Sequence, residues 1–317
     1  MQDKENFPTR DDVLEASERI AGLVERTPLR ELRIGGDTVW LKCESLQTGG
    51  SFKLRGASNR LALLGAADRA AGVVAFSSGN HAKGVAIAAR RLGIPALIVM
   101  PSDAPAPKIE GTRAEGAEIV VYDRAHEDRV AIARDIAGQR GAVVVPSFDD
   151  RHIIAGQGTA GLEIAGQCPE PVRRVVVCCG GGGLAAGLAL ALPGAEIVPV
   201  EPAGWDDMTL SLAGGTIVPV AADAPPTLCD ALQTPLVSPL TFGVLRARGA
   251  TGLAVSDAEV IAAMRFAWHD LGLRLEPGGA AALAALLAGK VAAGPGTVVM
   301  LTGGNIDPAV HAALIAA

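Results

Sequence analysis

The chain has 317 residues, of which 49% are hydrophobic and 20% charged, and a formal net charge of -6. This length predicts two lobes or domains, and this composition is typical of a packed globular protein rather than a disordered one. An acidic chain without a basic patch is not expected to bind nucleic acid.

Short apolar runs typical of buried strands alternate with helical patterns along the chain. The first set comprises a strand at 72–78, a helix at 81–93, a strand at 96–101, a helix at 108–117, a strand at 118–123, a helix near 126–139 and a strand at 142–147. The second set comprises strands at 173–180, 196–202 and 297–304, with a helix at 184–192. This alternation predicts an α/β fold of two open, mostly parallel sheets covered by helices.

No targeting or membrane segment is evident. The first twenty residues lack the basic-then-apolar layout of a signal peptide, and no apolar run is long enough for a membrane span. The five cysteines are odd in number and form no C-x-x-C pair, which argues against a disulfide framework or a zinc site. We therefore expect a reduced, cytoplasmic protein with no membrane partner.

The run "VVVCCGGGGLAAG" is the most informative local segment. Gly180, Gly181, Gly182 and Gly183 follow a predicted strand and precede an apolar helix. Glycines allow close backbone approach to an anion, and a helix N-terminus offers free N–H groups, so the run predicts a phosphate site. The alternative is a flexible tight turn. A nucleotide P-loop would need a Lys-Ser/Thr pair, which is absent, whereas a dinucleotide fold remains open on local grounds.

The run "FSSGNHAKG" forms a second strand-to-helix turn. Ser77, Ser78, Asn80 and His81 bring hydroxyls, an amide and an imidazole to a helix start. Such a set suits a carboxylate or a ring oxygen. The alternative is ordinary helix capping by Ser77 or Ser78, which needs no ligand.

A lysine lies between apolar neighbours in "GGSFKLRGASNR", residues 49–60. By itself, Lys53 could be a solvated cation at a helix start. A buried lysine, however, has a lowered pKa and can form a Schiff base with an aldehyde. Since the glycine run predicts a phosphate site, the two together suit pyridoxal 5'-phosphate (PLP), an aldehyde that bears a phosphate. Arg55 is then expected to be a structural charge.

Six segments, in this order and spacing, resemble the PLP-dependent serine/threonine dehydratase and serine racemase family of fold type II. They are "LQTGGSFKLRGASNRL", "SSGNHAKGVA", "FDDRHIIAGQGTAGLEI", "GGGGLAAG", "VEP" and "LTGGNID". The resemblance implies a large PLP-binding domain (1–62 and 149–317) and a small substrate-loop domain (63–148), with the cofactor between them. It also implies a small amino-acid substrate and a homodimer. No regulatory domain is expected, since the chain ends at Ala317.

The resemblance also implies a role for each matched residue. Lys53 would carry PLP and move the Cα proton, and Ser77, Ser78, Asn80 and His81 would hold the substrate carboxylate. The implied cofactor contacts are Phe52 beside the ring, Asn80 at the ring 3-oxygen, Gly180, Gly181, Gly182, Gly183 and the N–H of Leu184 at the phosphate, Glu276 near the ring, and Thr302 at the pyridine nitrogen.

The implied activity is an ammonia-lyase that eliminates the β-hydroxyl of L-threonine or L-serine to give a 2-oxo acid and ammonia. Ser78 leaves a serine racemase open, because inversion requires a second acid or base on the face of Cα opposite the lysine. Lys83, where the family usually has Gln, leaves 3-hydroxyaspartate dehydration open, although a solvated surface lysine is the favoured interpretation. A non-catalytic sensor that binds PLP or an amino acid is the alternative from another class.

The segment "VEPAGWDD" resembles the family's divalent-metal site. Glu201 and Asp207 would supply carboxylates and Trp205 a backbone carbonyl, and such hard oxygen ligands suit Mg²⁺ or Ca²⁺. The family often has a small residue where Trp205 stands. Two carboxylates six residues apart in a loop also occur by chance.

Overall fold

In a computed structural model, the chain contains two sheets, and the structure describes residues 7–104 and 106–316. The larger sheet has the strand order β1-β2-β10-β7-β8-β9 and the smaller one β5-β4-β3-β6. The strands are β1 Leu29–Ile34, β2 Asp37–Lys42, β3 Val73–Phe76, β4 Ala96–Pro101, β5 Glu118–Tyr122, β6 Val143–Val144, β7 Arg174–Cys178, β8 Glu196–Pro202, β9 Leu253–Val255 and β10 Thr297–Met300.

Every strand pair is parallel except β1–β2, which forms an antiparallel edge from Leu29↔Lys42 to Ile34↔Asp37. The predicted class of two open, mostly parallel sheets is therefore confirmed. The N-terminal segment joins the larger sheet through β2, which pairs with β10. The inner strands β3, β4, β7 and β10 are almost wholly apolar because helices cover them on both faces.

The helices surround these sheets. They are α1 Arg10–Arg19, α2 Lys53–Ala62, α3 Ala66–Ala71, α4 Asn80–Leu92, α5 Ala106–Ala114, α6 Arg129–Arg140, α7 Arg151–Gln167, α8 Gly183–Ala191, α9 Asp207–Gly214, α10 Pro239–Ala247, α11 Asp257–His269, α12 Pro277–Leu287 and α13 Pro308–Ala316. Two apolar clusters cover the faces of the larger sheet and two those of the smaller sheet. Small side chains let α7 and α8 pack closely, since a Cβ on Gly187 would lie 2.5 Å from the Gly158 nitrogen.

Several predicted boundaries differ from the structure for local reasons. The helix predicted near 126–139 begins at Arg129, because the Asp128 carboxylate caps it by accepting from the N–H groups of Val130 and Ala131. The helix predicted at 108–117 instead spans Ala106–Ala114. The strand predicted at 142–147 keeps only Val143–Val144 in the ladder, and the residues after it turn toward the larger sheet.

Because the strands are parallel, their carboxyl ends lie at one edge of each sheet. The glycine-rich and polar loops that follow the strands therefore lie at that edge as well. α2 links the two halves, because it packs against α4 of the smaller unit and α7 of the larger one. Within the described residues, no helix is long and apolar enough to cross a membrane. All five cysteines are free thiols.

Candidate active site

Lys53 is the first residue of α2, directly after Phe52, which occupies the cap position. The Phe52 N–H donates to the carbonyl of Thr302, which ties the start of α2 to the end of β10. The Lys53 ammonium donates to the Ser147 carbonyl at 3.1 Å and lies 5.2 Å from the centroid of the Phe52 ring. Desolvation lowers the pKa of Lys53 to about 8, so a substantial neutral fraction exists near physiological pH.

Arg55, one half-turn further along α2, is completely buried. Its guanidinium donates to both carboxylate oxygens of Glu44 at 2.7 and 2.8 Å, and to Glu163 on α7 at 2.6 and 2.9 Å. Lys42 adds a second cation to Glu163 at 2.6 Å. The expectation that Arg55 is a structural charge is therefore confirmed, and these four side chains fix the start of α2 against the larger sheet.

The four-glycine loop fits its surroundings because its members have no side chains. A Cβ on Gly181 would overlap the Phe148 ring, and one on Gly183 would lie 3.0 Å from the Phe148 Cβ. Gly182 has a φ of 84°, and its added Cβ would lie 2.7 Å from the Met208 methyl. Neighbouring side chains thus pack directly against the Cα atoms of the loop. The N–H groups of the first turn of α8 have no intrahelical acceptors and are free to bind an anion.

The serine loop lies between β3 and α4. Gly79 is the cap residue of α4 and no side chain caps the helix, so the capping alternative for Ser77 and Ser78 is wrong. Ser77 Oγ instead accepts from the Gly79 N–H at 3.2 Å. Ser77, Ser78 and Asn80 are all partly accessible, which leaves this loop open to a ligand.

His81 is buried and neutral. Its Nε2 lies 2.9 Å from the Val145 carbonyl, which can only accept, so the proton resides on Nε2. Desolvation, together with the charge of Lys53, lowers the pKa of His81 to about 3. Among the described residues Nδ1 has no hydrogen-bond partner, which leaves a buried acceptor beside the serine loop.

A chain of amides and charged groups leads across the site from α4 to α12. Asn80 Nδ2 donates to Glu276 Oε1 at 2.5 Å, and Asn305 Nδ2 donates to Asn80 Oδ1 at 2.7 Å. Lys83, which is half-buried, donates to Asn305 Oδ1 at 3.3 Å. Desolvation raises the pKa of Glu276 to about 7. Lys83 is therefore connected to Asn80 through one side chain, and the prediction of a solvated surface lysine does not describe its position.

Thr302 follows β10 and is buried. Its Oγ1 lies 3.0 Å from the Sγ of Cys178, the last residue of the neighbouring strand β7. The charges of Lys53 and Glu276 also act on the Cys178 thiol, so the side chains of Lys53, Glu276 and Thr302 all lie close to it.

The segment proposed for a metal lies at the end of β8. Glu201 is buried and accepts from the N–H groups of Met208 and Thr209 and from the Thr209 hydroxyl. Asp207 accepts from the Val237 N–H at 2.8 Å. Desolvation raises the pKa values of Glu201 to about 8 and of Asp207 to about 6. Trp205 donates its indole N–H to the Pro225 carbonyl. No group of three His, Cys, Asp or Glu side chains suited to a metal occurs in the described part of the chain.

Several residues of this site carry no assignment from the sequence. Ser147 and Phe148 join Lys53 to the glycine loop, and Asn305 and Gly303 support Asn80 and Glu276. All but Ser147 belong to two of the segments that carry the family resemblance, "FDDRHIIAGQGTAGLEI" and "LTGGNID". Their positions could have been suspected from those segments, but their contacts depend on the tertiary packing of loops.

The arrangement suits a phosphorylated aldehyde. Lys53 is partly buried, has a lowered pKa and contacts the Ser147 carbonyl. The next residue, Phe148, packs against the four-glycine loop at the N-terminus of α8. The helix end would bind the phosphate through backbone N–H groups, and Lys53 would bind the aldehyde carbon. The residues present therefore fit PLP.

Comparison with known proteins places the chain in a family. The family described as pyridoxal-phosphate dependent enzyme matches residues 20–303. The chain is 44% identical over 313 residues to the L-threo-3-hydroxyaspartate ammonia-lyase of a Pseudomonas species, covering 96% of this chain and 97% of that one.

Two solved structures share the fold. Maize serine racemase superposes with a TM-score of 0.90 at 35% identity, covering 96% of this chain and 95% of that one. A threonine deaminase from T.th. superposes with a TM-score of 0.87 at 39% identity, covering 95% and 99%. The chain therefore belongs to the PLP-dependent enzymes of fold type II, in the branch of ammonia-lyases and amino-acid racemases.

Proposed function

We propose that this protein is a PLP-dependent ammonia-lyase that eliminates the β-hydroxyl of a small β-hydroxy amino acid, giving a 2-oxo acid and ammonia. The observation that carries the proposal is the convergence of Lys53, the serine loop and the glycine loop at the carboxyl ends of the strands. Because acid–base, carboxylate-binding and phosphate-binding groups meet there, the site supports an active enzyme over a non-catalytic sensor.

Each group has a distinct task in this reaction. Bound PLP supplies the electron sink that stabilises the negative charge at Cα. Lys53 Nζ removes the Cα proton, and its lowered pKa keeps a neutral fraction available for this. Ser77, Ser78 and the N–H groups at the start of α4 bind the substrate carboxylate and orient Cα–H toward Lys53.

The remaining residues hold the cofactor. Gly180–Gly183 and the Leu184 N–H would bind the phosphate, Phe52 would pack beside the ring, and the second Asn80 amide proton, not used by Glu276, would be donated to the ring 3-oxygen. Glu276 would lie near the ring, and Thr302, whose Oγ1 contacts Cys178 at the end of β7, would face the pyridine nitrogen. His81, neutral at physiological pH, contributes a hydrogen-bond acceptor rather than a charge.

Three amino acids are candidate substrates: L-threonine, L-serine and L-threo-3-hydroxyaspartate. The 44% identity to the Pseudomonas enzyme favours the dicarboxylate, whereas the threonine deaminase structure favours the monocarboxylates. Lys83 is the cation on the substrate-loop helix that could attract a second carboxylate, and it is half-buried beside Asn305. We therefore rank 3-hydroxyaspartate first.

The test is a proton NMR time course in D₂O of the PLP-loaded protein with each of the three amino acids. The expected result is a 2-oxo acid and ammonium, with the highest kcat/KM for L-threo-3-hydroxyaspartate, and no product from the Lys53→Ala variant. Lys83→Gln should lower kcat/KM for the dicarboxylate by roughly tenfold while leaving L-serine within twofold, because only the dicarboxylate gains from the added cation. Absence of a 2-oxo acid from all three would refute the proposed activity.

A serine racemase is the second candidate, and the observation that favours it is Ser78. Its side chain is not used to cap α4 and is partly accessible in the loop before that helix. By the family resemblance, this hydroxyl would lie on the face of Cα opposite Lys53 and exchange a proton there. Loss of the Cα proton signal of L-serine in D₂O without formation of pyruvate would support racemisation over elimination.

We also propose that Glu201, Asp207 and the Trp205 carbonyl bind one Mg²⁺ or Ca²⁺ ion. Glu201 and Asp207 are buried with raised pKa values, and a divalent cation would stabilise their charged forms. The N–H groups of Met208 and Val237 already orient the two carboxylates, and the charge of Asp207 acts on Glu201. The ion would therefore be structural, tying β8 to α9, rather than part of the reaction.

A further inference from the structure

A buried thiol contacts the hydroxyl that is predicted to face the cofactor ring. Cys178 ends β7, Thr302 follows the adjacent strand β10, and their Sγ and Oγ1 atoms are 3.0 Å apart. Their exposed fractions are 6% and 3%, so water does not compete for this contact. The charges of Lys53 and Glu276 act on the Cys178 thiol, so the pair lies beside the proposed PLP site.

The direction of this hydrogen bond decides what Thr302 can do. A hydroxyl has one proton and two lone pairs, so it can donate to only one neighbour at a time. If Thr302 donates to the sulfur, only its lone pairs are available to a bound ligand. If the thiol donates to Oγ1, the Thr302 proton is free for a second acceptor. Burial raises the pKa of the Cys178 thiol to about 11, so the thiol keeps its proton at neutral pH.

The main chain of Thr302 is already engaged, since its N–H donates to Gly279 and its carbonyl accepts from Phe52. Only its side chain can respond to a ligand. A pyridine nitrogen without a proton can only accept, so in its presence the favourable arrangement is a continuous chain from sulfur to oxygen to nitrogen. Each bond in such a chain polarises the next.

We propose that Cys178 is a positioning residue that donates its thiol proton to Thr302 Oγ1 and thereby makes the Thr302 hydroxyl a donor to the ring nitrogen of bound PLP. The proposal rests on the proposed function in that PLP binds at this site with its ring nitrogen at Thr302. A neutral donor would hold the ring nitrogen without protonating it, which keeps the electron sink weaker than an acidic partner would make it.

The test compares Cys178→Val with Cys178→Ser in the PLP-loaded protein. Valine suits a strand and cannot donate, whereas serine restores a donor. The matched control is Cys43→Val, since Cys43 is also buried but its thiol donates to the Leu41 carbonyl, away from the glycine loop. The readouts are the absorption and emission spectra of bound PLP and its dissociation constant, none of which requires turnover.

We expect Cys178→Val to shift the spectra and to weaken PLP binding by roughly threefold to tenfold, the effect of one neutral hydrogen bond. Serine should restore both, and Cys43→Val should change neither by more than about twofold. In a Thr302→Val background, removal of the Cys178 thiol should have no further effect, because the hydroxyl that it orients is gone. If Cys178→Val does not fold, Cys178→Ala gives the same comparison.

Unchanged spectra and PLP affinity in the folded Cys178 variant would overturn the proposal, as would an equal effect from Cys43→Val or additive effects of the Cys178 and Thr302 variants. These outcomes are separate from failure of the proposed function, which would appear as a PLP-loaded wild-type protein that forms no 2-oxo acid.

Discussion

Arg55 and Glu44 form a buried pair in which two guanidinium nitrogens meet both carboxylate oxygens at 2.7 and 2.8 Å. Neither side chain is exposed, and Arg55 is only two residues from Lys53. The Glu163 carboxylate, which accepts from Arg55 and Lys42, balances the charge of the group. The lysine that would carry the cofactor is thus anchored by ionic contacts rather than by the apolar core alone.

Removing Arg55 should destabilise the whole protein. In Arg55→Met, Glu44 and Glu163 would keep buried negative charges without their main partner, and the expected loss is about 3–5 kcal/mol in the free energy of unfolding. Urea unfolding followed by circular dichroism measures it. The matched control is Arg33→Met, since Arg33 is 76% exposed in its pair with Glu31 and should cause no measurable change. Equal stability of the two variants would show that the buried group contributes nothing.

Gly303 should not tolerate a side chain, because Glu276 Oε1 occupies the place of its Cβ and Asn80 Nδ2 would lie 3.1 Å from it. Gly303→Ala would therefore separate the two side chains whose hydrogen bond orients Asn80. We expect weaker PLP binding and a loss of kcat of roughly tenfold or more. Gly138→Ala is the control, since no atom lies within 4 Å of its added Cβ, and it should retain full activity. Wild-type PLP affinity in Gly303→Ala would contradict this role.

The sequence predicted the framework of the site well because local patterns specify it. The glycine run after β7 and the polar run after β3 follow apolar strands, and parallel strands bring their carboxyl ends together whatever the details of the loops. The class of fold, the family and the structural role of Arg55 were accordingly predicted correctly. The antiparallel β1–β2 edge was not, since its alternating pattern gives no sign of its partner strand.

The contacts that tune the site were beyond sequence reasoning. Nothing in the sequence relates Cys178 to Thr302, or Lys83 to Asn305, because each pair is more than 120 residues apart and meets only after both sheets form. The capping role considered for the serines failed for a related reason. Gly79 takes the cap position, since β3 ends at Phe76 and α4 begins only at Asn80, which leaves both serines too early in the turn to cap it.

The lowered pKa of Lys53 predicts how cofactor loading depends on pH. The neutral amine is the form that attacks an aldehyde, and burial disfavours the charged form. The rate of PLP incorporation into the cofactor-free protein should therefore rise with pH and level off above about 8, rather than above the usual value for lysine near 10.4. Stopped-flow absorbance between pH 6 and about 10 measures it, with free Nα-acetyl-lysine as the control. A profile that still rises steeply at about pH 10 would contradict the lowered pKa.

Binding of a divalent ion at Glu201 and Asp207 should raise thermal stability. At about 100 times its dissociation constant, Mg²⁺ or Ca²⁺ should add about 2.7 kcal/mol, and a chelator should reverse the effect. The readout is the melting temperature with and without the ion. Asp207→Asn should abolish the response, whereas Asp135→Asn, an exposed carboxylate on α6, should preserve it. A melting temperature that does not respond to either ion would refute the metal site.

Ser78 should separate the two reactions that this family performs. Elimination needs proton removal by Lys53 on one face of Cα, whereas racemisation also needs a proton donor on the other face. Since Ser78 does not cap α4, its replacement should leave that helix intact. Ser78→Ala should therefore abolish formation of the D-amino acid while retaining at least about a third of the wild-type rate of 2-oxo acid formation. Chiral chromatography and a coupled dehydrogenase assay measure the two products in one sample.

Ser77→Ala is the control. Ser77 Oγ accepts from the Gly79 N–H within the loop, so this variant should affect both reactions equally through carboxylate binding. Persistence of D-amino acid in Ser78→Ala would assign the second proton to another group, and parallel loss of both reactions would assign Ser78 to substrate binding.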